Sequence, residues 1–289
     1  MAVSELADGR NVEHGSSWNA PKARGRRGAL TAMLALTAHF IRRELRNRYL
    51  GSISGGLWAL LQPLIQLAIY SFVWTYVFKM RLPGDEGSSP AAIVPFLALG
   101  VWPWNAFSEA VMRSATSIQD NAGLIGKVAF PRGVLVFAAS SASFLLHAFG
   151  FVVVIIVIEL LGIPVRLAML PLALAVFAML FMLALGFGYL FAAVQVFVRD
   201  LSQVLGQVLP LMMFTAPVLY AREFLPERFR SLLDWNPFTF YPEYLRAELL
   251  GIGTVGIGAQ LMALALAIVM CAVGYAVFRR LNPRFEDFL

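Results

Sequence analysis

Charge and cysteine are what this chain has least of. Asp, Glu, Lys and Arg make up 14% of its 289 residues, against about 25% in soluble domains. A water-solvated surface is therefore excluded over most of the chain, and the 59% hydrophobic content takes its place, in apolar runs that recur at bilayer-spanning length. The single cysteine, Cys271, lies inside one of those runs and excludes a disulfide framework. The three histidines, His14, His39 and His147, are too dispersed for metal-ligand spacing. Acids are missing from the middle of the apolar runs and no internal repeat is visible. Both features argue against an ion-coupled carrier, which shows intramembrane acids and repeated halves. A membrane-embedded enzyme such as a lipid-linked glycosyltransferase needs carboxylates or a metal site near the membrane surface, and no such cluster stands out.

Nucleotide motifs fail in context. Gly251, Gly253 and Gly256 match the dinucleotide fingerprint by spacing. No buried strand precedes them, an apolar run follows, and no acid lies between Glu248 and Glu286 to take a ribose. They read as a flexible lead-in to the last apolar run. Gly123-x-x-Gly126-Lys127 is not a phosphate-cradling loop, because the first glycine is too near and Val128 stands where Ser or Thr must hold magnesium. The chain is expected to bind no cofactor, and no catalytic or metal-ligating set is assigned to it.

Residues 1–29 read as a flexible tail, basic at Lys22, Arg24, Arg26 and Arg27, with anionic lipid headgroups preferred over nucleic acid as its contact. Leu30–Arg48 has helical period. Leu34, Thr37, Ala38, Ile41 and Leu45 share one face, and Arg42, Arg43, Arg46 and Arg48 lie elsewhere. It reads as an amphipathic helix in the membrane interface, or else as a solvated basic helix. Six membrane helices follow, at Ser54–Phe78, Ala92–Met112, Gly133–Leu161, Leu167–Val198, Ser202–Tyr220 and Ala259–Phe278. With the N-terminus inside, 16 Lys and Arg residues fall on the inner side and seven on the outer. The bias puts both termini in the cytoplasm, Ser117 inside and Ser88 outside.

Two connectors are unusual. Ala221–Gly258 is long and aromatic and is broken at Pro226, Pro237 and Pro242. Its short apolar helices either dip into the outer leaflet as a re-entrant pair or lie flat on it with Trp and Tyr as anchors. Ser114–Arg132 is polar and ends in Phe130-Pro131-Arg132. Asp120 and Asn121 suit the N-cap of a short helix through Ala122, Leu124, Ile125 and Val128, which Pro131 would end. Such a helix, hung between two spans, passes a push from a soluble partner to both; an ordinary basic loop fits the same spacing. Within the third run, His147 is expected to bond a neighbouring helix, and Glu109 and Arg113, four apart in the second, are expected to pair.

The spans also carry polar stripes. Trp58, Gln62, Gln66, Tyr70 and Trp74 recur at steps of four along the first and wind slowly around it. Gln203, Gln207, Pro210, Phe214 and Pro217 in the fifth stay within about 80° of one another. Buried glutamines need partners. Faces mixing amides and aromatics suit a glycan path, since rings stack on sugars and amides bond hydroxyls. They suit a helix–helix dimer seam equally. The candidate channel-lining residues are thus Trp58, Gln62, Gln66, Tyr70, Gln203, Gln207 and Phe214.

NAGLIGKVAFPR resembles the coupling loop of the membrane subunits of type-2 ABC exporters, the O-antigen and polysaccharide export permeases. Four further stretches match in order: RRELRNRYLGSISGGLWALLQP, VFVRDLSQVL, LDWNPFTFYPEYLR and FRRLNPRFEDFL. The resemblance covers roughly residues 34–289 and makes 30–289 one ABC-2 type transmembrane domain. It implies an all-α polytopic fold in the bacterial inner membrane, a second copy of the chain, and two ATPase subunits that hold ATP and magnesium. By the resemblance, Asn121, Leu124, Lys127, Phe130, Pro131 and Arg132 couple to the ATPase, with Phe130 in its pocket and Lys127 and Arg132 steering the contact. The implied cargo is a lipid-linked polysaccharide, most like O-antigen. Capsular polysaccharide, teichoic acid or a small drug or lipid is the alternative.

Overall fold

The computed structural model describes residues 26–48, 55–82, 92–128, 130–160 and 162–289. Ten α-helices are found among them: α1 Arg26–Asn47, α2 Gly55–Phe72, α3 Ile93–Thr116, α4 Ala122–Ile125, α5 Gly133–Leu160, α6 Leu170–Gln195, α7 Leu201–Thr215, α8 Glu227–Trp235, α9 Phe240–Leu250 and α10 Ile257–Leu281. The described residues hold no strand, as expected of an all-α chain. Contacts divide the chain into two compact units, Met1–Leu36 and Thr37–Leu289. Within the first unit, residues 26–36 are helical. The expected tail up to residue 25 lies outside the described residues, as do the start of the first expected span at Ser54 and the outer-loop residue Ser88.

Among the described residues, three stretches are long and apolar enough to cross a membrane: Gly133–Leu160, Leu167–Gln195 and Ile257–Asp287. The 28 residues of α5 extend about 42 Å, more than the roughly 30 Å of hydrocarbon. Three other expected spans depart from plain apolar helices. α2 contains Pro63 and passes at Val73 into a π-helical turn, Val73–Val77. α3 is 24 residues long and carries Pro103. α7 is only 15 residues long and stops at Thr215 instead of reaching Tyr220. Its end follows from Pro217, which pushes the preceding Ala216 into extended geometry, φ −111° and ψ 154°.

The core of the second unit is α3 packed on α5 and α6, with α10 against the far side of α6. Small residues set that last crossing. A Cβ built on Gly186 of α6 would lie 2.5 Å from the carbonyl carbon of Met270 and 2.6 Å from the amide of Cys271, and one on Gly274 of α10 would strike the backbone of Gly186. The two backbones touch because neither glycine has a side chain, which is how helices gain packing where lipid supplies no hydrophobic drive. A buried Ser114–Ser140 bond of 2.6 Å ties α3 to α5.

At the end of the bundle away from α4, the aromatic connector holds two short helices separated at Pro237. α9 is buried among its neighbours, with Tyr241, Leu245 and Leu249 almost inaccessible, whereas Trp235 at the end of α8 is 88% exposed. The glycine-rich lead-in is less free than its composition suggests. Gly251 adopts φ +72° and ends α9, its amide bonding Ala247 O while that of Ile252 bonds Arg246 O.

Candidate functional site

A cavity of about 700 Å³ opens between α2, α3, α5 and α7. Its α2 wall is the stripe read from the sequence: Trp58, Gln62, Gln66 and Tyr70 all line it. Gln66 is held in place, donating to Tyr70 Oη at 3.2 Å and accepting from Asn105 Nδ2 of α3 at 2.8 Å. Its polar groups are thus oriented before any ligand arrives. Gln203, Gln207 and Phe214 are not brought to this cavity. The α7 wall consists of Leu205, Gly206, Leu209, Pro210 and Met213. Gln203, Gln207 and Phe214 are exposed, because at about 100° per residue Gln207 stands some 200° around the helix from Leu205 and from Leu209.

The same cavity holds an ionic cluster at its α4 side. Glu109 of α3 bonds Arg48 Nη1 at 2.6 Å and His147 Nε2 of α5 at 2.8 Å. Arg48 Nη2 donates to Ser143 Oγ at 2.6 Å. The expected i,i+4 pair with Arg113 is the longest of these contacts, at 4.0 Å. Glu109 is thus an ion-paired acid on the cavity wall, near the α4 end of the second expected span and not at its middle. His147 bonds a neighbouring helix as anticipated, and its carbonyl accepts Trp102 Nε1 at 2.8 Å. Among the described residues no three His, Cys, Asp or Glu side chains are placed to share a metal ion.

The loop between α3 and α5 is shorter in its helix than expected. A 3₁₀ turn, Gln119–Asn121, leads into the four-residue α4, which ends at Ile125, with the Gly126-Lys127 turn and not Pro131 as its stop. Asn121 precedes α4 without a side-chain cap. Its amide instead donates to Ser117 O at 2.8 Å, and its Oδ1 accepts from Arg43 of α1. Asp120 accepts from Thr116 at 2.8 Å. Phe130 stacks on Phe40 of α1, ring centroids 5.4 Å apart and 27° between planes, and Arg132 turns to Asn282 and Glu286 near the C-terminus. Gly123, Gly126, Lys127 and Val128 are exposed, and Leu124 is half-buried. Of the six residues proposed for coupling, Lys127 and Pro131 are exposed and Leu124 is half-buried, while Asn121, Phe130 and Arg132 make contacts within the chain. Arg43 and Arg48, expected away from the apolar face of the first helix, both turn inward.

A family model described as "ABC-2 type transporter" matches residues 36–250, well over half of the chain. The chain belongs to the ABC-2 type transporter family. It is 27% identical over 250 residues to the O-antigen export system permease protein RfbA of Klebsiella pneumoniae, covering 86% of this chain and 92% of that one. It is 31% identical over 209 residues to the protein of that name from Myxococcus xanthus, covering 70% and 75%. It is 24% identical over 238 residues to the polysialic acid transport protein KpsM of Escherichia coli, covering 82% and 90%.

In this ABC-2 transporter chain, sequence reasoning found the amide–aromatic wall of α2 and missed the wall opposite. Trp104, Asn105, Ser108 and Glu109 of α3 also line the cavity. A signal for them existed: Asn105, Ser108, Glu109 and Met112 recur at helical steps of three, one and three, a polar face on an otherwise apolar helix. Arg48 had no such signal, since nothing in a run of arginines says which one turns inward.

Proposed function

We propose that this ABC-2 family chain is the permease subunit of an ATP-driven exporter that moves a lipid-linked polysaccharide, most like O-antigen, across the bacterial inner membrane. The observation that carries the reading is the α2–α3 wall of the cavity, where Trp58, Tyr70, Gln62, Gln66 and Asn105 combine ring faces with preoriented amides. Ring faces stack on sugars, and amides offer both a donor and an acceptor to hydroxyls. The likeness to proteins named for O-antigen export supports the cargo. A capsular polysaccharide is the second reading, favoured by the likeness to a polysialic acid transport protein.

In this reading both termini are cytoplasmic, α1 lies in the inner interface, and the spans number six with α2, α3 and α7 among them. α9 re-enters from the outer side, its backbone covered by α3 and α6, which a bilayer requires of broken helices. ATP and magnesium bind two separate ATPase subunits, and the outward face of α4 receives one of them. The other outward stripe, Gln203, Gln207 and Phe214, serves a second copy of the chain, with the glycan path bounded by the two cavities.

The test is co-purification with a candidate ABC ATPase subunit, followed by ATP turnover in proteoliposomes. Lipid-linked O-antigen is expected to stimulate turnover and to be exported. Gln66→Leu is expected to lower export while ATP hydrolysis continues and the dimer persists, since interhelical polar bonds in membranes average only about 0.6 kcal/mol. Gln207→Leu is expected to weaken subunit association, leaving export per assembled complex unchanged. Stimulation by a drug or a free lipid but by no glycan would overturn the reading.

A further inference from the structure

The loop that carries α4 is anchored from an unexpected quarter, the end of the chain. The Arg132 side chain is only 15% exposed. Its Nη1 donates to Asn282 O at 2.8 Å, and its Nη2 meets the carboxylate of Glu286. That segment, the 3₁₀ run Asn282–Asp287, is itself fastened. Phe285 is fully buried, its ring 5.4 Å from that of Phe278 in α10 and 6.1 Å from that of Phe197 just past α6. Phe288 packs on Phe197 at 4.8 Å. At the other end of the loop, Gln119 and Gln195 of α6 exchange bonds of 2.9 Å.

A four-residue helix has no stability of its own, because one turn barely offsets the cost of nucleation. Its position is therefore decided by whatever holds its flanks. We propose that Asn282–Asp287 is a strut that fixes α4 against α10 and α6, with Arg132 and Glu286 as its positioning residues. Resting on the exporter reading, a push on Leu124, Lys127 and Val128 then moves α6 and α10 as a unit, where an unanchored loop would swing and lose the stroke.

The strut is tested first without transport. In the full-length chain carrying Cys271→Ser, Arg132→Cys and Glu286→Cys are expected to cross-link with a short bifunctional thiol reagent in native membranes. Failure to cross-link, while both cysteines label singly, overturns the proposal. Next, in the complex with its ATPase, Glu286→Arg and Arg132→Glu are each expected to lower export per ATP hydrolysed about two- to fivefold, the range a partly exposed ion pair supports. Combining the two reversals is expected to restore most of that loss, and ATPase co-purification with Glu286→Arg is expected to stay at the wild-type level. Singles that export like wild type, or a double reversal no better than the singles, also overturn it. A cross-link that forms in a chain whose wild-type complex exports no glycan keeps the strut and sinks the exporter reading.

Discussion

Arg246 shows what a single side chain can do for a broken backbone. Only 3% exposed, it donates Nε to Phe96 O at 3.0 Å, Nη1 to Pro217 O at 2.5 Å and Nη2 to Val218 O at 2.7 Å. The carbonyls beyond α7 lose their helical partners once Pro217 stops that helix, and water is not there to replace them. The rigid fork of a guanidinium reaches both, and Phe96 O of α3 besides, and the point charge of lysine does not. Arg246→Met is expected to leave two buried acceptors, Pro217 O and Val218 O, unpaired and cost about 2 kcal/mol or more, read as a lower melting temperature of the purified protein. Arg246→Lys is expected to recover only part of it. Glu109 is the second such residue, joining α3, α5 and the residue that follows α1 through His147 and Arg48. Removing it strands two donors, and bonds to charged groups are each worth about 1.5–3 kcal/mol. As Glu109 is 36% exposed, Glu109→Leu is expected near the low end of that range and Glu109→Gln, which keeps the shape, below it. Equal melting of Glu109→Leu and wild type would show the cluster to be solvated and slack.

α4 is an element whose shape comes from its surroundings. Its inward residue Ile125 is buried and Lys127, in the turn that follows, is exposed, so the two sides of the segment have separable roles. Lys127→Glu is expected to change permease stability by less than about 0.5 kcal/mol, as for other exposed sites, yet to abolish co-purification of the ATPase. Retained co-purification would move the docking surface elsewhere. Phe130→Ala acts differently, because the ring belongs to the chain's own packing. Loss of its stack on Phe40 is expected to cost about 0.5–1.5 kcal/mol and to loosen α1 from the loop, seen as faster proteolysis there. The helix was legible from its polar flanks. Its true stop was not, nor were Arg43, Phe40 and Asn282 as partners of Asn121, Phe130 and Arg132, since these lie tens of residues or more away in sequence.

For the molecule as a whole, topology is the property on which every functional statement rests. The Lys and Arg bias predicts α4 inside and α8 outside. Ser117, the natural inner probe by sequence, is 5% exposed and would label poorly. Lys127 and Glu227 are both exposed. With Cys271→Ser, Lys127→Cys is expected to react with an impermeant thiol reagent only in inverted vesicles, and Glu227→Cys only in intact cells. Reaction of both from one side would dismantle the six-span arrangement.

Composition and periodicity by themselves determined that the chain is helical, where its apolar runs lie and which polar residues share a face of α2. These are local properties, set by hydropathy and by 3.6 residues per turn. Tertiary structure alone decided that α7 turns Leu205 and Leu209, not Gln207, to the cavity, that Arg48 meets Glu109, and that the last eight residues brace a loop 150 positions earlier. Periodicity groups residues into faces but leaves open which face meets which neighbour. That choice depends on how closely backbones approach, as at Gly186 and Gly274, and on pairings between charges that are distant along the chain.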